Sequence, residues 1–252
     1  MMAQPDNDQF ANRFFLNGDD VAVEGTFLDA SREIGEDTAN GAGFGEASVW
    51  WSWRAPRDGH VRVSASAFAG VPVQRLEVFD GDTLSSLSLL SSAEFQSQRP
   101  DVQSIVPVQA GRSYAIATIN SQGVEAFFNL RLILLPPGDV VPIPLEGEAF
   151  DLEGTTVHAT PEPGLSGDPG QAPTVSWEWT APGDGAVWIA TDADDYALRV
   201  HVFRIDAFNQ WRGKSLLTLL LRAGWALSHK PPAATGYCSV PTPVRNDPFT
   251  GK

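Results

Sequence analysis

The sequence predicts an all-β chain, an antiparallel β-sandwich or jelly roll begun twice, and three observations predict it. The first is punctuation: 23 Gly and 19 Pro in 252 residues bracket short apolar runs, which suits many short strands rather than long helices. The second is the phrase Ser48-Val49-Trp50-Trp51-Ser52-Trp53-Arg54-Ala55-Pro56, a strand with three Trp in four residues. The third is its return as Thr174-Val175-Ser176-Trp177-Glu178-Trp179-Thr180-Ala181-Pro182. An internal repeat of one β unit follows.

Taken in order, Asn7-Asp8 followed by Phe10, Ala11, Phe14 and Phe15 reads as a capped helical turn or an apolar N-terminal clasp. Val21–Phe27 alternates and meets an acidic loop, 33–45, with glycines at 35, 41, 43 and 45. The tryptophan strand follows. Arg57-Asp58-Gly59 is a tight turn, and His60–Ser66 resumes the alternation. Gln74–Phe79 is a strand closed by Asp80-Gly81-Asp82. Weaker strands are expected at 86–91 and 102–108, then Arg112–Ile119 after Ala110-Gly111, then Glu125–Leu135. About eight strands at hairpin spacing make one complete sandwich over 1–135. Pro136-Pro137-Gly138 sets a linker at 136–139.

A second copy, partial, is expected over 140–205. Glu153-Gly154-Thr155 matches Glu24-Gly25-Thr26, and Glu162-x-Gly164 matches Glu33-x-Gly35. Gly183-Asp184-Gly185 answers Arg57-Asp58-Gly59, Val187 and Ile189 answer Val61 and Val63, and Arg199–Phe203 answers Arg75–Phe79. The correspondence then stops. The tail, 206–252, is leucine-rich with helical spacing over Lys214–Trp225 and Pro-rich and irregular from Pro231. Two readings of it stand: a short amphipathic helix over Ser215–Ser228 that docks on the unfinished sandwich or on a membrane surface, or an out-of-frame or truncated end. The second reading leaves 140–203 only partly formed, with an apolar face and unpaired strand edges.

Strand alternation assigns the faces. Val49, Trp51 and Trp53, matched by Val175, Trp177 and Trp179, form the core face, joined by Val61, Val63, Val187 and Ile189. Each buried Trp is worth about 3–5 kcal/mol by the usual cost of truncation. Trp50 stands where the second copy has Ser176, and Trp188 stands at the outward place of Arg62. Trp50 and Trp188 are therefore the ligand-contact candidates: each either stacks on a sugar ring or partner, or is covered by a loop or the other copy.

Charge and cysteine usage bound the function. The net charge of −14 argues against nucleic acid, which demands clustered Lys and Arg. Residues 1–203 carry 10 Arg, no Lys and 29 acidic residues, whereas 204–252 carry 7 basic and 2 acidic. A single Cys, Cys238, precludes an intrachain disulfide framework and a Cys-based zinc site. No signal peptide is visible after Met1, and no apolar run is long enough for a transmembrane helix. His60, His158, His201 and His229 lack metal-ligand spacing, no G-x-S-x-G elbow appears, and Gly41-x-Gly43-x-Gly45 lacks the Lys of a phosphate loop. No catalytic residues are predicted. The sole cofactor candidate is calcium, at Glu33, Glu36 and Asp37, at Asp80 and Asp82, or at Asp192, Asp194 and Asp195, although none has EF-hand spacing.

Asn7-Asp8-x-Phe10-Ala11-Asn12, Glu33-x-Gly35-Glu36, the Ser48–Pro56 phrase and Ala110-Gly111-x-x-Tyr114-x-Ile116 together resemble a recurrent bacterial module. It is the β-sandwich related to the pre-peptidase C-terminal (PPC) domain. The resemblance covers about 6–135 and part of 140–205. It implies a jelly-roll, non-catalytic accessory domain, often in tandem, in a larger secreted or cell-surface protein, sometimes holding calcium. Its partners would be polysaccharide, extracellular protein or neighbouring modules of the same parent. Adhesion or targeting, attachment to a secreted peptidase or other hydrolase, and carbohydrate binding through an exposed Trp are the functions it implies.

Overall fold

The computed structural model describes residues 4–36, 46–68, 72–97, 101–121, 125–161, 173–182, 187–193, 198–205, 218–225 and 236–239. The chain is an all-β sandwich protein that divides into two compact units, Met1–Leu134 and Leu135–Lys252.

The first unit runs β1 (Phe14–Leu16), β2 (Asp20–Thr26), β3 (Glu46–Arg54), β4 (Gly59–Ala67), β5 (Arg75–Asp80), β6 (Ser88–Glu94), β7 (Asp101–Val108), β8 (Ser113–Ser121) and β9 (Phe127–Leu134). The eight strands expected from alternation form within a few residues of their expected bounds. The ninth, β1, is too short to show a period, and it pairs parallel with β3, setting Phe14 opposite Trp51 and Leu16 opposite Trp53. Two sheets result, ordered β1-β3-β8-β5-β6 and β2-β9-β4-β7.

The main core fills the space between them. Val49, Trp51 and Trp53 project from one sheet, and Val61, Val63, Phe128, Leu130 and Leu132 project from the other. Trp51 meets Phe128 edge-on, with ring centroids 5.8 Å apart. That aromatic stack explains Gly25, where a Cβ would lie 2.4 Å from the Phe128 ring. At one end the Ala110-Gly111-x-x-Tyr114 segment forms a corner. The Tyr114 hydroxyl accepts the Gln109 N–H at 2.8 Å, and the Asp58 carboxylate accepts the Ala110 N–H at 2.7 Å.

The second unit contains β10 (Ile143–Leu145), β11 (Asp151–Gly154), β12 (Thr174–Thr180), β13 (Ala190–Ala193), β14 (Leu198–Ile205), β15 (Thr218–Trp225) and β16 (Gly236–Ser239). Its sheets are ordered β10-β12-β15-β14 and β11-β16-β13. Val175 and Trp177 are buried, with Ile143, Leu145, Leu152, Ile189 and Val200 packed on their cluster. Trp179 is buried too, and Val187 is half-buried. Gly154 is narrow for a matching reason: a Cβ there would lie 2.9 Å from Trp177.

Three expectations change here. The tail helix is absent from Thr218–Trp225, which is strand β15, hydrogen-bonded between β12 and β14. Periodicity alone does not separate a short leucine run in a strand from one in a helix; the two open strand edges decide it. The open edge expected on the second sheet is thereby filled, and β16 is likewise placed between β11 and β13. Pro136–Asp139 is also more than a linker. The Gly138 carbonyl accepts both the backbone N–H and the hydroxyl of Ser176, and the Asp139 carboxylate holds Thr160. The matched segments Glu162–Gly164 and Gly183–Gly185 lie outside the described residues.

Leu221→Pro tests the β15 assignment, because proline removes a ladder donor from a strand paired on both sides. A lost buried hydrogen bond costs about 1–3 kcal/mol. Hydrogen exchange should quicken across Thr174–Thr180 while β3 stays protected; unchanged protection of β12 would contradict the pairing.

Candidate functional site

The candidate residues are placed by two loops and one outer strand face. On β3 the outward positions do not meet water. Trp50 is 0% exposed, and Ser48 and Ser52 are buried. The N-terminal turn covers them: Phe10 of the short 3-10 helix Phe10–Asn12 packs edge-on to Trp50 at 5.2 Å. Phe79, Ala115, Ala117 and Ile119 complete this second apolar cluster, with Leu84 and Leu87 packed against it. Trp50 is therefore withdrawn as a ligand platform. The comparison with Ser176 misled because Ser176 is itself 4% exposed, its hydroxyl engaged by Gly138.

Carboxylates tie the covering turn down. The Asp8 carboxylate accepts the Ser31 N–H at 2.6 Å and the Ser31 hydroxyl at 2.7 Å. Asn7 brackets Trp50: its carbonyl accepts the Trp50 N–H, and its side-chain amide donates to the Trp50 carbonyl. In the second unit, Asp139 accepts the N–H and hydroxyl of Thr160. Sequence reasoning offered a capped helical turn or an apolar N-terminal clasp here; the clasp forms, and what it did not foresee is that Asn7 and Asp8 hold it by hydrogen bonds. A signal was present in the pairing of Asp8 with Ser31, 23 residues on, and of Asp139 with Thr160, 21 residues on.

The calcium candidates scatter into separate duties. A Glu33 oxygen accepts the Phe10 N–H at 2.9 Å. Glu36, only 1% exposed, accepts the Ser48 hydroxyl at 2.6 Å and the Trp50 indole N–H at 3.0 Å, both on one oxygen. Burial raises its pKa above the ordinary 4.5, against the lowering effect of those two hydrogen bonds, the Glu33 backbone and Arg32. Asp37, Asp194 and Asp195 lie outside the described residues, as does the side chain of Asp192. Asp80 is paired with Arg112 at 2.6 Å. Among the described residues no three His, Cys, Asp or Glu side chains gather closely enough to hold a metal.

Asp80 and Asp82 do share a shallow depression of about 510 Å³, with Gly81, Ser86, Ser88, Gly111, Arg112 and Ser113. Its ion pair and hydroxyls suit hydrogen bonding to a polar, hydroxylated ligand. Trp188 is the aromatic candidate that does reach solvent, at 60% exposure. Among the described residues no helix is long and apolar enough to cross a membrane. The fold and these contacts define a β-sandwich protein in which the Asp8, Glu33, Glu36 and Asp139 carboxylates hold loop segments. No protein-family model matches the chain, and no curated protein matches it.

Three measurements check this placement. Trp50→Ala should cost about 3–5 kcal/mol in denaturant unfolding, the usual loss on truncating a core aromatic; a surface Trp would cost within about 0.5 kcal/mol. Asp8→Ala, which removes two charge-assisted hydrogen bonds, should cost about 1.5–3 kcal/mol in the same assay. Glu36→Gln keeps an acceptor oxygen and removes the titration. With its folded pKa raised, Glu36 takes up a proton on folding, so its stabilising share is present in acid and lost as pH rises from 4.5 through the raised value. The variant should gain stability relative to the parent across that window and converge with it in acid, as followed by thermal melts.

Proposed function

We propose that the chain is a tandem pair of PPC-like β-sandwich modules acting as a non-catalytic extracellular binding and spacer segment of a larger secreted or cell-surface bacterial protein. One observation carries the reading: each unit builds the same self-contained lock. Trp53 donates its indole N–H to the Gly18 carbonyl at 2.9 Å, and Trp179 donates to Gly147 at 2.8 Å. Asp8 grips Ser31 as Asp139 grips Thr160. A unit that ties down its own entry loop can be strung beside others without borrowing contacts, which is what a spacer requires.

The test is cell fractionation with antibodies raised against the chain. The expected outcome is a secreted or surface-bound antigen on a polypeptide larger than 27.1 kDa. A cytosolic species of that mass alone would overturn the proposal. An adjoining peptidase or other hydrolase domain on the same polypeptide would give the accessory role its enzyme.

A second reading, carbohydrate binding, is favoured by the exposed Trp188. Glycan-array retention of the full chain that disappears in Trp188→Ala would support it. Retention indifferent to that substitution would remove Trp188 from the account.

A further inference from the structure

We propose that Asn17-Gly18 is a self-modifying site, where Asn17 loses its side-chain amide through a succinimide and the first unit acquires an isoaspartyl linkage with age. The dipeptide forms the turn between β1 and β2, and both residues are exposed. Gly18 sits at φ +114, a conformation that side-chain-bearing residues rarely adopt, and as glycine it carries no Cβ beside the attacking nitrogen. Its N–H makes none of the hydrogen bonds found among the described residues, while its carbonyl holds the indole of Trp53.

The chemistry needs no partner beyond water. The Gly18 nitrogen, on losing its proton, attacks the Asn17 side-chain carbonyl carbon. A new C–N bond closes the five-membered ring, the bond to the side-chain nitrogen breaks, and that nitrogen leaves with a proton as ammonia. Water then opens the ring at either carbonyl. One route leaves an ordinary aspartyl residue at this position; the other passes the main chain through the former side chain and leaves a free α-carboxylate. Both add a negative charge beside Asp19 and Asp20 in an already acidic turn. The isoaspartyl route also lengthens the backbone by one methylene next to the carbonyl that Trp53 requires.

The second unit supplies an internal control. Its corresponding turn has Gly147 at φ +127 and the same indole-to-carbonyl bond from Trp179, but the preceding residue is Glu146. A carboxylate is a poor electrophile with no ammonia to lose. That turn does not age by this route.

The experiment incubates the full chain, folded and in urea, at mildly alkaline pH, and follows the peptides by mass spectrometry and isoaspartyl methylation. The Asn40-Gly41 peptide is read separately, since it carries the same dipeptide. Expected is isoaspartate at the Asn17 position in the folded chain at a rate comparable to the unfolded one, faster than at Asn12 or Asn129, with the Glu146-Gly147 peptide unchanged. Aged parent protein should also show a lowered melting temperature that aged Asn17→Gln does not. Protection of Asn17 in the folded chain, or loss of its amide at the pace of the other asparagines, would overturn the proposal.

Discussion

Strand β3 is buried on both faces, and the first unit is arranged around that constraint. A strand from Ala47 to Trp53 with no exposed residue needs two coverings. The opposing sheet provides one, through Phe128, Leu130 and Leu132. The other is the N-terminal turn, a segment too short to hold itself in place by apolar contact. It is fixed instead by hydrogen bonds to groups already anchored in the sheet and its loops. Asn7 binds the backbone of Trp50, Asp8 binds Ser31, and Glu33 binds the N–H of Phe10. Removing water from Trp50 in turn forces an acceptor for its indole, and Glu36 is brought inside to supply one.

This ordering explains why an acidic chain buries carboxylates. A carboxylate accepts several hydrogen bonds at once, so one side chain can satisfy the backbone N–H and the hydroxyl of a loop residue together. Asp8 and Asp139 each do so. The desolvation cost is visible at Glu36, whose raised pKa records that burial outweighs its hydrogen bonds. Glu77 shows another solution, with Arg75 beside it at 3.0 Å. These charges hold the structure together, and their scatter in sequence resembles a ligand set only until their partners are seen.

How much was legible in the sequence follows from the same physics. The strands of the first unit were readable because alternation and glycine punctuation are local signals. The inward set, Val49, Trp51, Trp53, Val61 and Val63, was readable from the matching phrase in the second unit. Trp50 was not, because reading Ser176 as solvent-facing assumed that a hydroxyl marks a wet surface. A hydroxyl satisfied by a carbonyl is also at home in the interior. Of the calcium candidates, Glu33 and Glu36 are neighbours in sequence but receive donors from different segments, Phe10 and β3. Strand β15 was hidden because a leucine run gains its identity from the edges available to it.

The contrast between the two units also separates positions held by packing from positions free to vary. Positions that agree, such as Trp51 with Trp177, Trp53 with Trp179 and Asp8 with Asp139, are those with packing or hydrogen-bonding work to do. The outward positions differ: Arg62 is answered by Trp188, and Ser64 and the other outward sites on β4 carry no shared type. Packing leaves such positions free, so a change from a guanidinium to an indole there costs the fold little and alters the surface greatly. A cationic arm suits anionic partners, whereas an exposed indole suits flat apolar faces such as those of sugars. The outward positions are thus free to diverge between the units, whereas Trp51, Trp53, Trp177 and Trp179 are held to one type by the cores they fill.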